Sequence, residues 1–183
     1  VRIIYIATAL IVIAGSMASA QVGVGLNLYG GGGLSLPVSD LKSDWKTGFF
    51  GMAAVGFNAI PQMETAGRYT YYRYAAKSDI GSNIHLIIQE YGLDLRVKLS
   101  PPGIAVKPYA LVGGGAAKMK ISDDTMNDLF SSTTKFYYSI GAGLTSVLMP
   151  KVNCFLEVRY TRISVSNGNV GNVPITVGLN LSL

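Results

Sequence analysis

Cysteine and histidine each occur once, as Cys154 and His85, and that scarcity excludes much at the outset. A lone cysteine forms no intramolecular disulfide, and neither a Cys-x-x-Cys pair nor a Cys/His grouping exists to hold zinc. A single imidazole leaves no site built from several histidines. Charge is scarce too: 14% of residues are Asp, Glu, Lys or Arg, against roughly 25% in an ordinary soluble domain. The 15 Lys and Arg residues outnumber the 10 Asp and Glu residues, yet they stand singly, without the basic runs of nucleic-acid-binding arms. Nucleic acid is therefore not an expected partner. Beyond residue 20 no apolar run approaches the ~20 residues that a spanning helix requires, so a membrane fate would have to be that of a closed barrel.

What is present begins with a segment of export type. Val1-Arg2 serves as a minimal basic region, residues 3–15 are apolar, and Ala18-Ser19-Ala20 precedes Gln21, the small-residue pattern that a signal peptidase reads. Residues 1–20 are expected to be a secretory signal peptide cleaved after Ala20, and residues 21–183 one barrel domain.

Glycine, proline and Asn/Asp/Ser clusters divide the remainder into eight segments rich in β-branched and aromatic side chains, near 22–34, 47–60, 67–77, 84–99, 105–119, 135–148, 152–164 and 172–183. An even count is what a bacterial barrel needs. Four segments alternate clearly with the period of a strand, which sends successive side chains to opposite faces. Leu26 and Leu28 oppose Gly25 and Asn27. Leu93, Leu95, Val97 and Leu99 oppose Asp94, Arg96 and Lys98, with Glu90 on the same polar face. Leu156 and Val158 oppose Glu157 and Arg159, and Val177, Leu179 and Leu181 oppose Gly178, Asn180 and Ser182. Segments two, three and five are less decisive, with Phe49-Phe50 and Val112 to Ala116 apolar or small on both faces, and their register stays open.

The links alternate in character. The first, third, fifth and seventh are longer and polar, around Ser39 to Trp45, Asp79 to Asn83, Ser122 to Thr133 and Ser166 to Gly171. The second, fourth and sixth are shorter and carry Pro61, Pro101-Pro102 and Pro150. Long outer loops opposite short periplasmic turns are the layout of an outer-membrane barrel. Aromatic residues gather near segment ends, at Trp45, Phe49 and Phe50, at Tyr69, Tyr71, Tyr72 and Tyr74, at Phe136 to Tyr138, and at Tyr109 and Tyr160. Placed outward they would form the interfacial girdles of such proteins.

Lys107-Pro108-Tyr109-Ala110-Leu111-Val112-Gly113-Gly114-Gly115, Ser139-Ile140-Gly141-Ala142-Gly143-Leu144, Glu157-Val158-Arg159-Tyr160 and Pro174-Ile175-Thr176-Val177-Gly178-Leu179 occur in the order and spacing found in one family. The chain resembles the small outer-membrane β-barrel domains of the OmpA/OmpX type, porin-like outer-membrane proteins of Gram-negative bacteria. The resemblance spans nearly all of residues 21–183. Members commonly end in an aromatic residue where this sequence has Leu183. The resemblance implies an all-β, eight-stranded, antiparallel, up-and-down transmembrane barrel in the cell outer membrane. It also implies contact with outer-membrane lipid and, during biogenesis, with the outer-membrane insertion machinery.

On this reading Leu26, Leu28, Leu93, Leu95, Val97, Leu156, Val158, Val177, Leu179 and Leu181 face lipid. Glu90, Asp94, Arg96, Lys98, Glu157 and Arg159 form a lumenal polar network that plugs the barrel, because buried charges require partners. Turned inside out, the same strands would make a soluble lipocalin-like ligand-binding barrel. A lipid-modifying enzyme is the other alternative, but the His-x-Ser pattern of barrel lipid A deacylases is absent, since Leu86 and Ile87 follow His85. No catalytic residue, cofactor or metal site is expected. Gly30 to Gly33 and Gly113 to Gly115 lack the Lys-Ser/Thr pair of phosphate loops, Asp123, Asp124 and Asp128 match no calcium-loop spacing, and Cys154 reads as a small lipid-facing hydrophobe. The expected function is structural or interactive, with the long loops available to a surface ligand.

Overall fold

The computed structural model describes residues 25–60, 62–77, 84–99, 105–123, 132–165 and 168–183. The expected signal peptide lies outside them, as do Asp124 and Asp128 and the third link from 78 to 83. Eight strands follow in order: β1 (Gly25–Ser39), β2 (Gly48–Ile60), β3 (Met63–Ala75), β4 (Ile84–Lys98), β5 (Val106–Asp123), β6 (Thr133–Met149), β7 (Val152–Val165) and β8 (Gly168–Ser182), with one short helix, α1 (Leu41–Asp44), between β1 and β2. Each strand pairs antiparallel with the next. β1 closes the ring on β8 in a register running from Asn27↔Ser182 to Ser39↔Val170. Closure leaves no open edge, which is the condition for a sheet to cross hydrocarbon. The strands run from 13 to 18 residues, more than the ~9–11 tilted residues that cross a bilayer core.

The alternation resolves into two faces. Leu93, Val177 and Leu179 are outward, with Leu93 64% exposed, and Leu26, Leu28, Leu95, Val97, Leu156, Val158 and Leu181 lie on the same outer side. Every strand Asp or Glu whose burial is described, namely Glu64, Glu90, Asp94 and Glu157, points inward and is almost fully buried. A dry lipocalin-like interior needs the opposite arrangement, so that alternative is overturned. Space for the inward side chains comes from glycine. A Cβ added to Gly143 would overlap the Tyr109 ring, and one at Gly178 would lie 2.6 Å from Phe155. Cys154 is half-buried on the outer side, with its Sγ donating weakly to the Ser146 carbonyl at 3.6 Å.

Several boundaries differ from the sequence reading. β1 continues to Ser39 through Pro37, because its pairing with β2 ends at Ser35↔Gly48 and only the β8 ladder continues. Pro37 therefore has one strand neighbour to satisfy, the position proline tolerates. β3 begins at Met63, whose pairing with Ile60 opens its ladder with β2. The seventh link shrinks to residues 166–167 because Gly168 to Gly171 join β8, pairing with Val165, Ser164, Ile163 and Arg162. It is not a long loop, and the fourth link, 99–105, is longer. The sixth is the turn Pro150-Lys151, with Lys151 at φ 67°.

The outward position of Leu179 makes a direct prediction. Leu179→Arg lowers unfolding free energy in phospholipid vesicles by about 2–4 kcal/mol if the residue lies near the bilayer midplane, read from denaturant titration of the Trp45 fluorescence. A loss below about 0.5 kcal/mol, the usual scale for an unremarkable surface change, would contradict that position.

Candidate functional site: a charged cluster spanning the lumen

Eight strands enclose a lumen just wide enough for side chains to fill, and its middle is filled with charge. Because strand residues two apart share a face, β4 contributes Asp94, Arg96 and Lys98, β7 contributes Glu157 and Arg159, and β3 contributes Glu64 and Arg68. The small residues opposite these leave room for long side chains to extend inward: Arg159 is in register with Gly141, Glu157 with Gly143, Asp94 with Gly113 and Arg68 with Gly92.

Arg159 grips Asp94 with both ends of its guanidinium, Nη1 to Oδ1 at 3.0 Å and Nη2 to Oδ2 at 2.8 Å. It also donates to Glu157 Oε1 at 2.9 Å and to Ser139 at 3.2 Å. Arg68 donates to the same Glu157 oxygen at 2.7 Å and to Thr70 at 3.0 Å. Tyr109 donates to Glu157 Oε2 at 2.9 Å. Next to them, Glu64 accepts from Tyr29 at 2.6 Å, Asn27 at 2.8 Å, Lys98 at 2.9 Å and Arg96 at 3.3 Å. Arg96 has a second anchor in its stack on the Tyr29 ring, 4.2 Å from the centroid. The cluster alternates sign from group to group, which offsets the desolvation each charge would otherwise suffer. Its bonds join strands that share no ladder: β3 and β7, linked by Arg68 and Glu157, stand on opposite sides of the ring.

Of the six residues expected in a lumenal network, Asp94, Arg96, Glu157 and Arg159 meet in this cluster. Lys98 joins through Glu64 at its open edge, with 31% of its side chain exposed. Glu90 stands apart, nearer the loop end, and accepts from Tyr72 at 3.2 Å. Glu64 and Arg68 were missed because β3 had no fixed register, with Glu64 left in a link. The Pro61-Gln62 break between two strand-like runs of the sequence was the signal that could have set it.

The rest of the lumen is unlike at its two ends. Toward the loops Phe50, Tyr72, Tyr74, Ile88, Tyr137 and Ile163 pack together, capped by Leu41 and Trp45 from α1 and the residue after it. Tyr74 shares hydrogen bonds with Ser35 at 2.7 Å and Asn172 at 2.8 Å. Toward the turns a cavity of about 270 Å³ opens, lined by Asn27, Asn58, Lys98, Lys107, Asn153 and Asn180 among others. The aromatic girdle is correspondingly thinner than the sequence suggested. Trp45, Phe50, Tyr72, Tyr74, Tyr109 and Tyr137 are interior, where they fill lumen volume, while Phe49, Tyr69, Tyr71, Tyr91, Phe136, Tyr138 and Tyr160 face outward. His85 heads β4, in register with Ala75 and Ser122 at the loop end.

A family model described as outer membrane protein beta-barrel domain matches residues 6–182. Among solved structures, the chain is similar to the Neisserial surface protein NspA, at 17% identity, TM-score 0.71, and 85% of this chain against 96% of that one. A major outer membrane protein from Thermus thermophilus matches at 12% identity, TM-score 0.58, covering 88% and 100%. Ail, the attachment invasion locus protein of Yersinia pestis, solved with the heparin analogue sucrose octasulfate, matches at 18% identity, TM-score 0.53, covering 86% and 99%. No curated protein sequence matches the chain.

Breaking the cluster at one point strands its partners. Arg159→Met leaves Asp94 and Glu157 under-compensated in the lumen and lowers stability by about 3–5 kcal/mol. Adding Asp94→Leu recovers part of the loss, which a double-mutant cycle by denaturant titration reads as strongly non-additive. Additive losses would mean that the two groups do not act as a pair.

Proposed function

The chain belongs to the outer membrane protein β-barrel domain family, and from that premise we propose that it is a plugged, non-conducting barrel with a structural and surface-interaction role. Its place is the outer membrane. The observation that carries the plugged reading is the bridging of opposite walls by Arg68, Glu157, Arg159 and Asp94, with the aromatic layer of Tyr72, Tyr74 and Phe50 stacked above it. An ion crossing the lumen would have to displace both. Residues 1–20 act in this reading as the export signal, and the insertion machinery delivers the barrel to the membrane.

The links at the loop end are the part of such a barrel that meets the outside. Ail, whose structure contains a sulfated sugar, is a precedent for ligand contact in a barrel of this shape. Here the first link is the best defined: α1 folds over the mouth with Leu41 and Trp45 buried, leaving Lys42, Ser43 and Asp44 exposed. A catalytic role finds no support in the lumen, whose carboxylates are already bound to guanidinium groups and phenols. Lipid A therefore stays chemically unchanged when the protein is overproduced, as mass spectrometry of the extracted lipid would read; trimmed acyl chains would refute this.

Conductance is the direct test of the plug. In planar bilayers the refolded wild-type barrel gives no steady large conductance, and a variant lacking the bridge, Arg68→Ala with Arg159→Ala, conducts more. Sustained wild-type conductance of porin size would overturn the proposal.

A further inference from the structure

Near the turns the lumen carries more cation than acid. The inward carboxylates Glu64, Glu90, Asp94 and Glu157 are matched in number by Arg68, Arg96, Lys98 and Arg159. Lys107 is a further cation. It shares the inner face of β5 with Tyr109, stands in register with Thr145 on β6, and lines the cavity at the turn end. Its ammonium is bound to no other described residue. Arg96 and Lys98 line the same cavity, and no described Asp or Glu is among its lining residues.

The cavity is closed by the charged cluster and open toward the turns. At its inner end the Arg96 guanidinium lies 4.2 Å from the centre of the Tyr29 ring and 5.7 Å from that of Tyr109. Its Nη1 donates to Glu64 at 3.3 Å, while Nη2 comes no closer to an acid than 3.6 Å from Glu157. Arg96 is almost fully buried, and neither Nε nor Nη2 has a hydrogen-bond acceptor among the described residues. Lys98 Nζ donates to Glu64 at 2.9 Å and Asn58 at 2.8 Å, which leaves the third proton of an ammonium to give. Amides and hydroxyls make the sides: Asn153 donates to Asn180 at 2.9 Å, Ser182 to Asn27 at 2.8 Å, and Thr145 stands beside Lys107. The volume of about 270 Å³ equals about nine waters at ~30 Å³ each. That is room for one sugar-sized molecule.

We propose that this cavity binds a small hydroxylated carboxylate, a sugar acid with one negative charge, entering from the turn end. Lys107 and the third proton of Lys98 take the carboxylate, so the ligand supplies the charge that the lumen's own acids leave unmatched. The asparagine amides, Thr145 and Ser182 both donate and accept, which complements a row of hydroxyls. A neutral sugar leaves Lys107 unpaired. A carboxylate without hydroxyls pairs Lys107 but strips the amides of water with nothing in return. The site goes beyond the plugged-barrel reading: a barrel that neither conducts nor binds a sugar acid would leave that reading standing and remove this one.

The test titrates D-galacturonate into the isotope-labelled folded barrel in zwitterionic detergent micelles. Backbone and asparagine side-chain amides are followed by NMR, and folding is checked by heat-modifiable migration on gels. Saturable shifts are expected at Lys107, Thr145, Asn153 and Asn180, and none at the loop end around Trp45. Galactose, which lacks the carboxylate, binds at least about tenfold more weakly, the scale of one hydrogen bond to a charged group. Propionate, which lacks the hydroxyls, is also weaker. Lys107→Gln weakens galacturonate about tenfold, whereas Lys151→Gln, in the exposed turn outside the cavity, leaves it unchanged. If Lys107→Gln fails the gel check, Thr145→Val provides a second weakened variant. Trigalacturonate separates two sources of the same chemistry: tighter binding than the monomer identifies the acidic end of a glycan, and binding no tighter a free sugar acid. Absence of saturable shifts at the turn end, equal binding of galactose or propionate, or wild-type affinity in the Lys107 variant would each overturn the site.

Discussion

The arrangement depends on the mutual neutralisation of charges across the lumen, above all the Arg159 fork on Asp94 and the Glu157 carboxylate shared by Arg159 and Arg68. A closed sheet facing hydrocarbon has only one polar place to put its charges, and eight strands leave that place narrow. Any ionised group sent inward must find its partner within a few ångströms or lose its hydration without compensation. The chain meets this condition by setting carboxylates and guanidinium groups of β3, β4 and β7 against one another across the lumen, and by glycines at 92, 113, 141 and 143 that clear a path between the walls. The paired core then lets the described outer face across the middle of the barrel go without charge.

That division explains what the sequence could tell. β4, β7 and β8 were legible because charged, polar or small residues alternated with leucine, isoleucine and valine over most of their length, a contrast that survives without any knowledge of the fold. β3 was not, since arginine and tyrosine occur on both of its faces: Arg68 and Tyr72 are interior, Arg73 and Tyr71 exterior. β5 carries Gly113 to Gly115, where absence of a side chain is the structural requirement inside and tolerable outside. The candidate network was balanced without Glu64 and Arg68, with three acids against three bases, so charge counting gave no hint that a pair was missing. Their discovery needed the β2–β3 register, which sets Glu64 opposite Asn58 and Arg68 opposite Ala54.

Aromatic placement shows a different limit. Tyrosine suits an interface, a strand and a narrow lumen for separate reasons, and clusters such as Tyr69 to Tyr74 and Phe136 to Tyr138 contain both kinds. The period of two splits each cluster: Tyr69 and Tyr71 go out, Tyr72 and Tyr74 in; Phe136 and Tyr138 go out, Tyr137 in. The inner members replace aliphatic packing with rings whose hydroxyls serve carboxylates, as Tyr72 does for Glu90, Tyr29 for Glu64 and Tyr109 for Glu157. A phenylalanine there would fill the same volume and leave the acid short of a donor.

The two ends of the molecule differ for a reason that follows from this packing. Above the charged cluster the lumen is closed by rings and by α1, whose Leu41 turns inward, with Trp45 beside it, from an otherwise polar link. Below it the walls carry amides and lysines, and a cavity opens toward the turns. Sealing the loop end with apolar volume removes water from one side of the ion pairs and strengthens them, since charge interactions grow as the local dielectric falls. Hydration at the turn end keeps Lys98 partly solvated, so the last cation of the series needs only Glu64 and Asn58 as protein partners.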